Sequence, residues 1–359
     1  MSETHVVRRR RLAGSLVERG VAALLVTRPV NVRYLTGLDS SNAAVLAYPD
    51  RPAVIATDSR YAEAAAALEP AIEVITARPV ARALAERATA DGVGAVGFEA
   101  HDMSVAAYND LVAAPRTAGL EPAGALVEEL RVHKDEAEIA ALREACAITD
   151  RAFADVLPRI RAGITEREIA RALEVRMVEL GADAPGFGSV VASGENGSVP
   201  HHTPGDRAVE AGDLVTMDFG ARYDGYHADM TRTVAIGRAA EWQRELYELV
   251  ATAQAAGRAS ALPGADVLKV DGAARAVIAR GGHGDAFTHG LGHGVGLEIH
   301  EAPMLGPGRT GTLTEGVPIT VEPGVYLPGR GGVRIEDTLV VRAGAPDLLT
   351  QTPRDLFVL

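Results

Sequence analysis

The sequence predicts two domains of different class, an α/β domain over residues 1–127 and an α+β domain over residues 128–359. Short apolar runs alternate with helical segments in the first third, which is typical of an α/β domain. A helix-forming linker over about 134–158 follows this third. Beyond it, two pairs of helical segments are each followed by glycine-punctuated strands, which indicates an α+β domain with a duplicated architecture.

The first domain is expected to contain a largely buried sheet, because its strand segments are apolar along most of their length. Strands are predicted at 21–27, 43–48, 52–57 and 71–77, and helices at 60–69 and 80–92. The spacing of Gly92, Gly94 and Gly97 matches a dinucleotide-binding pattern. Such a loop should follow a strand and open a helix, whereas these glycines fall within a strand, so no nucleotide cofactor is predicted.

The composition limits the classes of function. The chain has 359 residues, 47% of them hydrophobic and 23% charged, as in ordinary globular proteins. A net charge of −12 argues against nucleic-acid partners and anionic membranes, and no apolar run approaches the ~18 residues of a membrane span. Glu18 and Arg19 interrupt any export signal, so the basic run from Arg8 to Arg11 is assigned to the polar face of a first helix. The single cysteine, Cys146, allows no internal disulfide and fits a cytoplasmic location.

Four helices are predicted in the second domain, at 133–157, 163–181, 240–261 and 265–282. The second of them carries clear end signals. Thr165 and Glu168 have the spacing of a capping box, and Gly181 is typical of a helix C-terminus.

Asp218 and Asp229 are predicted to lie on one face of a hairpin. Asp224-Gly225 favours a two-residue turn. With that turn Gly220 faces Asp229, and Asp218 lies two residues earlier on the same face, so the two backbones are about 7–8 Å apart on the diagonal. Two like charges between apolar flanks repel unless a cation lies between them. An exposed polar face is the alternative interpretation.

Glu322 and Glu336 repeat this arrangement near the C-terminus, each within an apolar, strand-like run. A loop around 328–332 connects the runs, and an odd loop length would put both glutamates on one face. The sequence leaves this parity open. It also leaves open that Glu336 ends a strand and that Arg334 is only a salt-bridge partner.

The segment between the two hairpins, THGLGHGVGLEIHEAP at 288–303, contains His289, His293 and His300 among four glycines. Glycine is a poor helix former, so the spacing does not indicate a helical zinc site. Together with the four carboxylates it indicates a metal site, since two divalent cations would neutralise about four negative charges. Oxygen ligands with one imidazole suit Mn²⁺, Co²⁺, Zn²⁺ or Fe²⁺. Two such ions ~3.5–4 Å apart that share a hydroxide perform hydrolysis.

The motifs MDFG, HADMTRT, HGLGHGVGLEIHE, VEPGVY and GVRIED resemble those of the M24-type pita-bread metallopeptidases, in the aminopeptidase P and prolidase (Xaa-Pro dipeptidase) group. The resemblance covers about 130–359. NVRYLTGLDSSNAAVLAYPD followed by TDSRY also resembles the creatinase-type N-terminal domain. The resemblance therefore implies a creatinase-type N-terminal α/β domain, a pita-bread metallopeptidase catalytic domain and a homodimer.

The resemblance implies five metal ligands, of which Asp229 and Glu336 would bridge two ions; the set is Asp218, Asp229, His293, Glu322 and Glu336. Manganese is the expected metal, with cobalt, zinc or iron as alternatives. Glu322 would also act as general base.

Three histidines, His201, His289 and His300, resemble substrate-facing residues of the family, and His201 or His300 would stabilise the oxyanion. His202 is a weaker candidate because the family varies at this position. Arg334 resembles an arginine that supports the site and the substrate.

The implied reaction is cleavage of the Xaa-Pro bond, at the N-terminus of a peptide or in a dipeptide, through a hydroxide that bridges the metals. The substrate would be a small peptide with proline in the second position. Prolidases often carry an arginine soon after the HExP segment, whereas Met304 follows HEAP here. This difference favours an aminopeptidase that accepts longer peptides.

Three alternatives belong to other classes of protein. A methionine aminopeptidase-like enzyme would share the ligands but usually lacks the N-terminal domain. A non-peptidase of the same fold would use the metals on a small amide or osmolyte, although creatinases lack the full ligand set. A catalytically silent binding protein would show eroded ligands, and none is eroded here.

Overall fold

The computed structural model describes residues 2–68, 72–115 and 117–359. The chain divides into two compact units, Met1–Arg131 and Val132–Leu359. The sequence puts this boundary at 127/128, inside the last short helix of the first unit. Among the described helices, none has the combination of length and apolar composition that a membrane span requires.

The first unit is a six-stranded mixed sheet with order β4-β3-β2-β1-β5-β6. Its strands are β1 (Leu24–Val26), β2 (Ala43–Ala47), β3 (Val54–Thr57), β4 (Glu73–Thr76), β5 (Ala95–Phe98) and β6 (Gly119–Pro122). Its helices are α1 (Ser2–Arg19), α2 (Pro29–Thr36), α3 (Ala62–Ala66), α4 (Val80–Ala90), α5 (Val105–Ala113) and α6 (Leu126–Arg131). The four predicted strands are confirmed. Glu69 and Ala71, at the ends of two predicted segments, lie outside the described residues.

The prediction for the basic run in α1 is wrong at Arg8. This side chain is buried, its Nη1 donates to the carbonyl oxygen of Tyr34 at 3.2 Å, and its guanidinium lies 4.4 Å from the Tyr34 ring centroid. Arg9 Nη1 donates to the carbonyl oxygen of Leu35 at 2.6 Å. Both acceptors belong to the last turn of α2, where carbonyls lack intrahelical donors and favour cations.

The second unit has the predicted order of two helices followed by strands, twice. The helices are α7 (Glu136–Val156), α8 (Glu166–Glu179), α9 (Glu241–Ser260) and α10 (Val267–Arg280). The strands after α8 are β7 (Ala184–Pro185), β8 (Val190–Ser193), β9 (Leu214–Phe219), β10 (Ala221–Tyr223), β11 (Tyr226–His227) and β12 (Met230–Ala235). Those after α10 are β13 (Gly292–Gly294), β14 (Glu301–Leu305), β15 (Pro318–Val321), β16 (Gly324–Leu327), β17 (Gly331–Arg334), β18 (Asp337–Val340) and β19 (Asp347–Leu348).

The predicted capping box of α8 is confirmed. The Thr165 side chain accepts from the Glu168 amide, and the Glu168 side chain accepts from the Thr165 amide. Gly181 follows the last turn with a φ of 107°, a left-handed conformation that glycine adopts without the strain of a Cβ. The helix therefore begins and ends where its local sequence indicates.

Alternation along the central strands separates the apolar core from the polar site. In β9, Val215, Met217 and Phe219 pack in one core with α7 and α8, so Asp218 points to the opposite face. In β15, Ile319 and Val321 pack in a second core with α9 and α10. Both helix pairs thus cover the apolar faces and leave the carboxylate-bearing faces free to form a site.

Candidate metal-dependent active site

The first carboxylate pair lies on the hairpin that the sequence predicts. Tyr223 pairs with Tyr226 across Asp224-Gly225, whose φ angles are 46° and 78°. Both central residues have positive φ, as a two-residue hairpin turn of the favoured hand requires. Thr231 pairs with Asp218 further along the same register. Asp229 is therefore the diagonal neighbour of Asp218.

The second hairpin has an odd number of loop residues, which places both of its glutamates on one face. Leu327 pairs with Gly331, which leaves the three-residue loop 328–330. Gly324 pairs with Arg334, and Val321 pairs with Asp337 in the adjoining ladder. Both ladders share one register, so Glu322 and Glu336 occupy directly opposed positions on one face.

His293 brings the two hairpins into one cluster. Its Nε2 lies 3.5 Å from Asp229 Oδ2 and 3.4 Å from Glu322 Oε1. The potential ligand atoms of Asp229, His293 and Glu336 all lie within 4.8 Å of one another. Three of the five predicted ligands therefore form a buried group that could hold a cation, and Glu322 borders it.

The glycines beside His293 are required by close contacts between neighbouring strands. A Cβ at Gly292 would lie 2.1 Å from the carbonyl oxygen of Thr320, and one at Gly294 would lie 2.2 Å from that of Ala302. No Cβ is tolerated at these distances, so glycine lets β13 fit between β14 and β15 and carry His293 inward.

Burial and mutual repulsion disfavour ionised carboxyls in this cluster. Burial, reinforced by the charges of Glu336 and Asp218, raises the pKa of Asp229 well above its usual range. Burial and the charge of Glu322 do the same to the pKa of Glu336. Burial raises the pKa of Glu322 to about 8, against the opposing charge of Arg334. One arginine does not balance several buried carboxylates, and bound cations would supply the missing positive charge.

The donor set fits divalent metal ions. His293 Nδ1 faces the carbonyl oxygen of Gly294 at 3.0 Å and is assigned the proton, so Nε2 turns a lone pair toward two carboxylates. Burial lowers the pKa of His293 to about 4, which keeps the imidazole neutral. Asp218 Oδ1 is buried without a hydrogen-bond partner. A cation would satisfy both the lone pair and this oxygen.

Arg334 joins the carboxylate cluster to the wall of the site. Its Nη2 donates to Asp218 Oδ2 at 2.7 Å, its Nε donates to Thr231 Oγ1 at 3.1 Å, and its Nη1 donates to the Tyr326 hydroxyl at 2.9 Å. Thr231 Oγ1 in turn donates to Glu336 Oε2 at 2.6 Å. The arginine therefore orients a carboxylate from each hairpin, one directly and one through a threonine.

His289 is held by the same network. Its Nδ1 lies 2.8 Å from the carbonyl oxygen of Gly290, and its Nε2 lies 2.8 Å from the Tyr326 hydroxyl. Because Arg334 donates to that hydroxyl, the tyrosine proton is free to bond His289 Nε2. Both ring nitrogens are thus occupied within the wall, and burial lowers the pKa of His289 to about 4. A contact with substrate stays a prediction.

His201 and His300 are the exposed histidines of a cleft of about 480 Å³, which the carboxylates and His293 also line. Neither ring forms a hydrogen bond within the part of the chain that the structure describes. The His300 ring packs edge-on against His293, with centroids 4.4 Å apart. Met304 and Arg309 line the same cleft. The structure thus gathers both predicted histidines at the mouth of the carboxylate cluster.

His202, the weaker candidate, points elsewhere: its Nε2 lies 2.8 Å from the buried Glu166 Oε2. Phe219 is fully buried in an apolar core, and the Tyr226 hydroxyl donates to Glu138, so both belong to the interior.

Tyr326 and Thr231 also belong to the site, although no sequence motif indicated a role for them. The position of Thr231 opposite Asp218 follows from the Asp224-Gly225 turn and could have been found. The position of Tyr326 depends on Gly324, where a Cβ would lie 2.4 Å from the tyrosine hydroxyl. No local pattern signals this contact.

Comparisons with known proteins agree with this geometry. Residues 140–343 match the model of metallopeptidase family M24, and residues 8–133 match that of the creatinase/prolidase N-terminal domain. An uncharacterised peptidase from Bacillus subtilis is 40% identical over 351 residues, which cover 98% of each chain. An Xaa-Pro dipeptidase from Pyrococcus furiosus is 43% identical over 232 residues, or 65% of this chain and 67% of the relative.

Two solved structures cover nearly the whole chain. The Xaa-Pro dipeptidase from Bacillus anthracis has a TM-score of 0.95 at 36% identity and covers 99% of this chain and 100% of its own. The X-Pro aminopeptidase from Thermotoga maritima has a TM-score of 0.88 at 34% identity, with coverages of 95% and 98%. The likeness therefore includes both units.

Proposed function

Because the chain belongs to metallopeptidase family M24, within its prolidase and aminopeptidase P group, we propose that it cleaves Xaa-Pro bonds at the N-terminus of short peptides with two divalent cations. It combines a creatinase-type N-terminal domain with an M24 catalytic domain, and it is a metallopeptidase. The observation that carries the proposal is the buried cluster of one imidazole and several carboxylates at the base of the cleft.

Five side chains would hold the two ions: Asp218, Asp229, His293, Glu322 and Glu336. When bound, divalent cations lower the pKa of a water molecule and polarise the substrate carbonyl. Manganese is proposed because carboxylate oxygens dominate the donor set, and cobalt, zinc or iron are the alternatives.

Glu322 is the proposed general base. Among the carboxyl groups of the cluster it is the most exposed, with 17% of its side chain accessible. Burial raises its pKa to about 8 in the metal-free protein, and bound cations would lower that pKa, so that the ionised carboxylate is available to accept a proton. The carboxylate would take a proton from the attacking water and return it to the proline nitrogen as the peptide bond breaks.

His201 and His300 are the proposed hydrogen-bond donors to the substrate carbonyl. Burial and the neighbouring His201 lower the pKa of His300, so this ring is neutral at pH 7 and carries one N–H. A donor aimed at the oxygen where negative charge develops contributes about 10²–10³ in kcat when it is well placed. Neither ring has a competing partner within the described residues.

Two cleft residues bear on peptide length in opposite directions. Met304 is 36% exposed and offers no charge to a dipeptide carboxylate, which supports longer substrates. Arg309, five residues later in the same cleft, is exposed and forms no ion pair with any described residue. Its guanidinium could bind that carboxylate instead, which would support dipeptides.

The deciding experiment is hydrolysis by the Mn²⁺-loaded protein of Ala-Pro, Ala-Pro-Ala, Met-Ala-Ser and Ala-Ala-Ala. Cleavage of Ala-Pro-Ala with slower cleavage of Ala-Pro identifies an aminopeptidase, and cleavage of Ala-Pro alone identifies a dipeptidase. Cleavage of Met-Ala-Ser alone would support the methionine aminopeptidase alternative. Silence on all four peptides with metal bound would refute the proposal in favour of a small amide or osmolyte.

The cytoplasmic location and the homodimer stay predictions. Light scattering coupled to size-exclusion chromatography measures the mass of the assembly, and the mass of a single chain would overturn the dimer.

A further inference from the structure

The loop that carries His201 is tied to one buried carboxylate. Glu166, at the first turn of α8, is fully buried, and Oε1 accepts from the Ser193 amide at 2.8 Å, the Ser193 hydroxyl at 2.8 Å and Asn196 Nδ2 at 2.9 Å. Its Oε2 faces His202 Nε2 at 2.8 Å and accepts from the Gly205 amide at 3.1 Å. All five partners belong to residues 193–205, so a single side chain gathers both ends and the middle of this loop.

Glu166 is ionised in this position. Burial alone would raise its pKa, but the hydrogen bonds from Asn196, Ser193 and His202 outweigh burial and lower it. A carboxylate is an acceptor only, and five donors match its two oxygens. An amide of the same shape would turn an N–H toward some of those donors.

The other side of the loop rests on the hairpin of β16 and β17. Arg334 Nη1 lies 3.3 Å from the carbonyl oxygen of Pro200, directly before His201. A Cβ at Gly332 would lie 2.3 Å from the carbonyl oxygen of Gly197, so the two backbones are in close contact. The loop is therefore held between α8 and the hairpin that carries the glutamates of the site.

His201 itself has no such support. Its ring is exposed and forms no hydrogen bond within the described part of the chain, so only the backbone of the loop determines where it lies. The adjacent His202 points away from the cleft to Glu166. On the basis of the proposed function, we propose that Glu166 and His202 form a positioning pair that holds His201 in the cleft.

The pair predicts a specific kinetic pattern for the Mn²⁺-loaded enzyme. Glu166→Gln should lower kcat for Ala-Pro-Ala about tenfold or more and change KM less than about twofold, because it displaces a donor to the transition state. His202→Ala should have a smaller effect, and His202→Gln should recover part of it, because an amide N–H can still bond Glu166. His283→Ala, on a turn outside the cleft, is the matched control and should leave both constants unchanged.

A double-mutant cycle separates positioning from general damage. In the His201→Ala background, Glu166→Gln should lower kcat no further, because the residue on which it acts is already removed. Effects that multiply in the double variant would overturn the proposal. If Glu166→Gln fails to fold, the same cycle with His202→Ala decides the matter.

Hydrogen exchange provides a measurement that does not depend on catalysis. Amides in 193–205 should exchange faster in Glu166→Gln than in the wild type, while those of α9 and the bound metal content stay unchanged. Unaltered exchange in this loop would overturn the positioning pair, whatever the activity. A wild-type protein that cleaves no Xaa-Pro peptide would refute the proposed function alone, and the exchange result would then decide this inference.

Discussion

Glu322→Gln should reduce the pH dependence of stability in the metal-free protein, to which Asp229 and Glu336 also contribute. Burial raises the pKa of Glu322 from its ordinary 4.5 to about 8. The folded state therefore keeps a proton that the unfolded chain releases above pH 4.5, and the free energy of unfolding falls as the pH rises from 4.5 to about 8. The glutamine variant carries no titratable group here and should lack this loss.

The magnitude follows from the two pKa values. Each tenfold change in proton affinity corresponds to 1.36 kcal/mol, so the loss attributable to Glu322 is at most about 5 kcal/mol. Because 17% of the side chain is exposed and water can solvate the charge, the measured loss should fall below this limit. Metal binding should offset part of it, since an ion at 100 times its Kd adds about 2.7 kcal/mol.

The assay is urea unfolding in a chelator at pH 5 and pH 8, for the wild type and Glu322→Gln. The wild type should lose more stability between these pH values than the variant does. Glu248→Gln, at an exposed position on α9, is the control and should match the wild type. Equal losses in wild type and Glu322→Gln would refute the electrostatic account of this cluster.

Three further predictions test other parts of the site. His293→Ala should bind less metal per chain than the wild type by elemental analysis, and full metal content would contradict its role as a ligand. Arg309→Ala should raise KM for Ala-Pro about tenfold, since a lost charged hydrogen bond costs about 1.5–3 kcal/mol. KM for Ala-Pro-Ala-amide, which has no carboxylate, should stay unchanged. Equal increases in KM for both substrates would show that Arg309 does not bind the substrate carboxylate. Lys134→Met should lower the free energy of unfolding by about 3–5 kcal/mol, because it removes the cation from a buried ion pair in which Lys134 Nζ and Glu301 Oε2 are 2.7 Å apart. Lys134→Met with Glu301→Leu should restore stability, and an unimproved double variant would contradict that reasoning.

The sequence could predict contacts between residues that lie close together in the chain. The Asp224-Gly225 turn determines the register of its hairpin, and hence the positions of Asp218 and Asp229, because its dihedral angles suit one strand twist. Thr165 and Glu168 mark the start of α8 by bonds three residues apart. In each case the partners are joined by a short, stiff piece of backbone, so composition and spacing suffice.

Contacts between distant parts of the chain were not predictable in the same way. The side on which Arg8 lies depends on the carbonyls at the end of α2, and the burial of Glu166 depends on a loop that returns to it after some thirty residues. The parity of Glu322 and Glu336 depended on one residue of loop length. A sequence pattern states which side chains are polar, but not which distant donors will meet them.

The sequence by itself determined the family, the two-domain organisation and the inventory of carboxylates and histidines from which a metal site can be built. Only the tertiary structure decided that His293 stands between the two hairpins, that Arg334 reaches Asp218, and that His202 turns away from the cleft. The physical reason is the range of the forces involved. Local sterics and hydrogen bonds fix turns and caps, whereas burial, charge repulsion and donor placement exist only once strands remote in sequence have packed together.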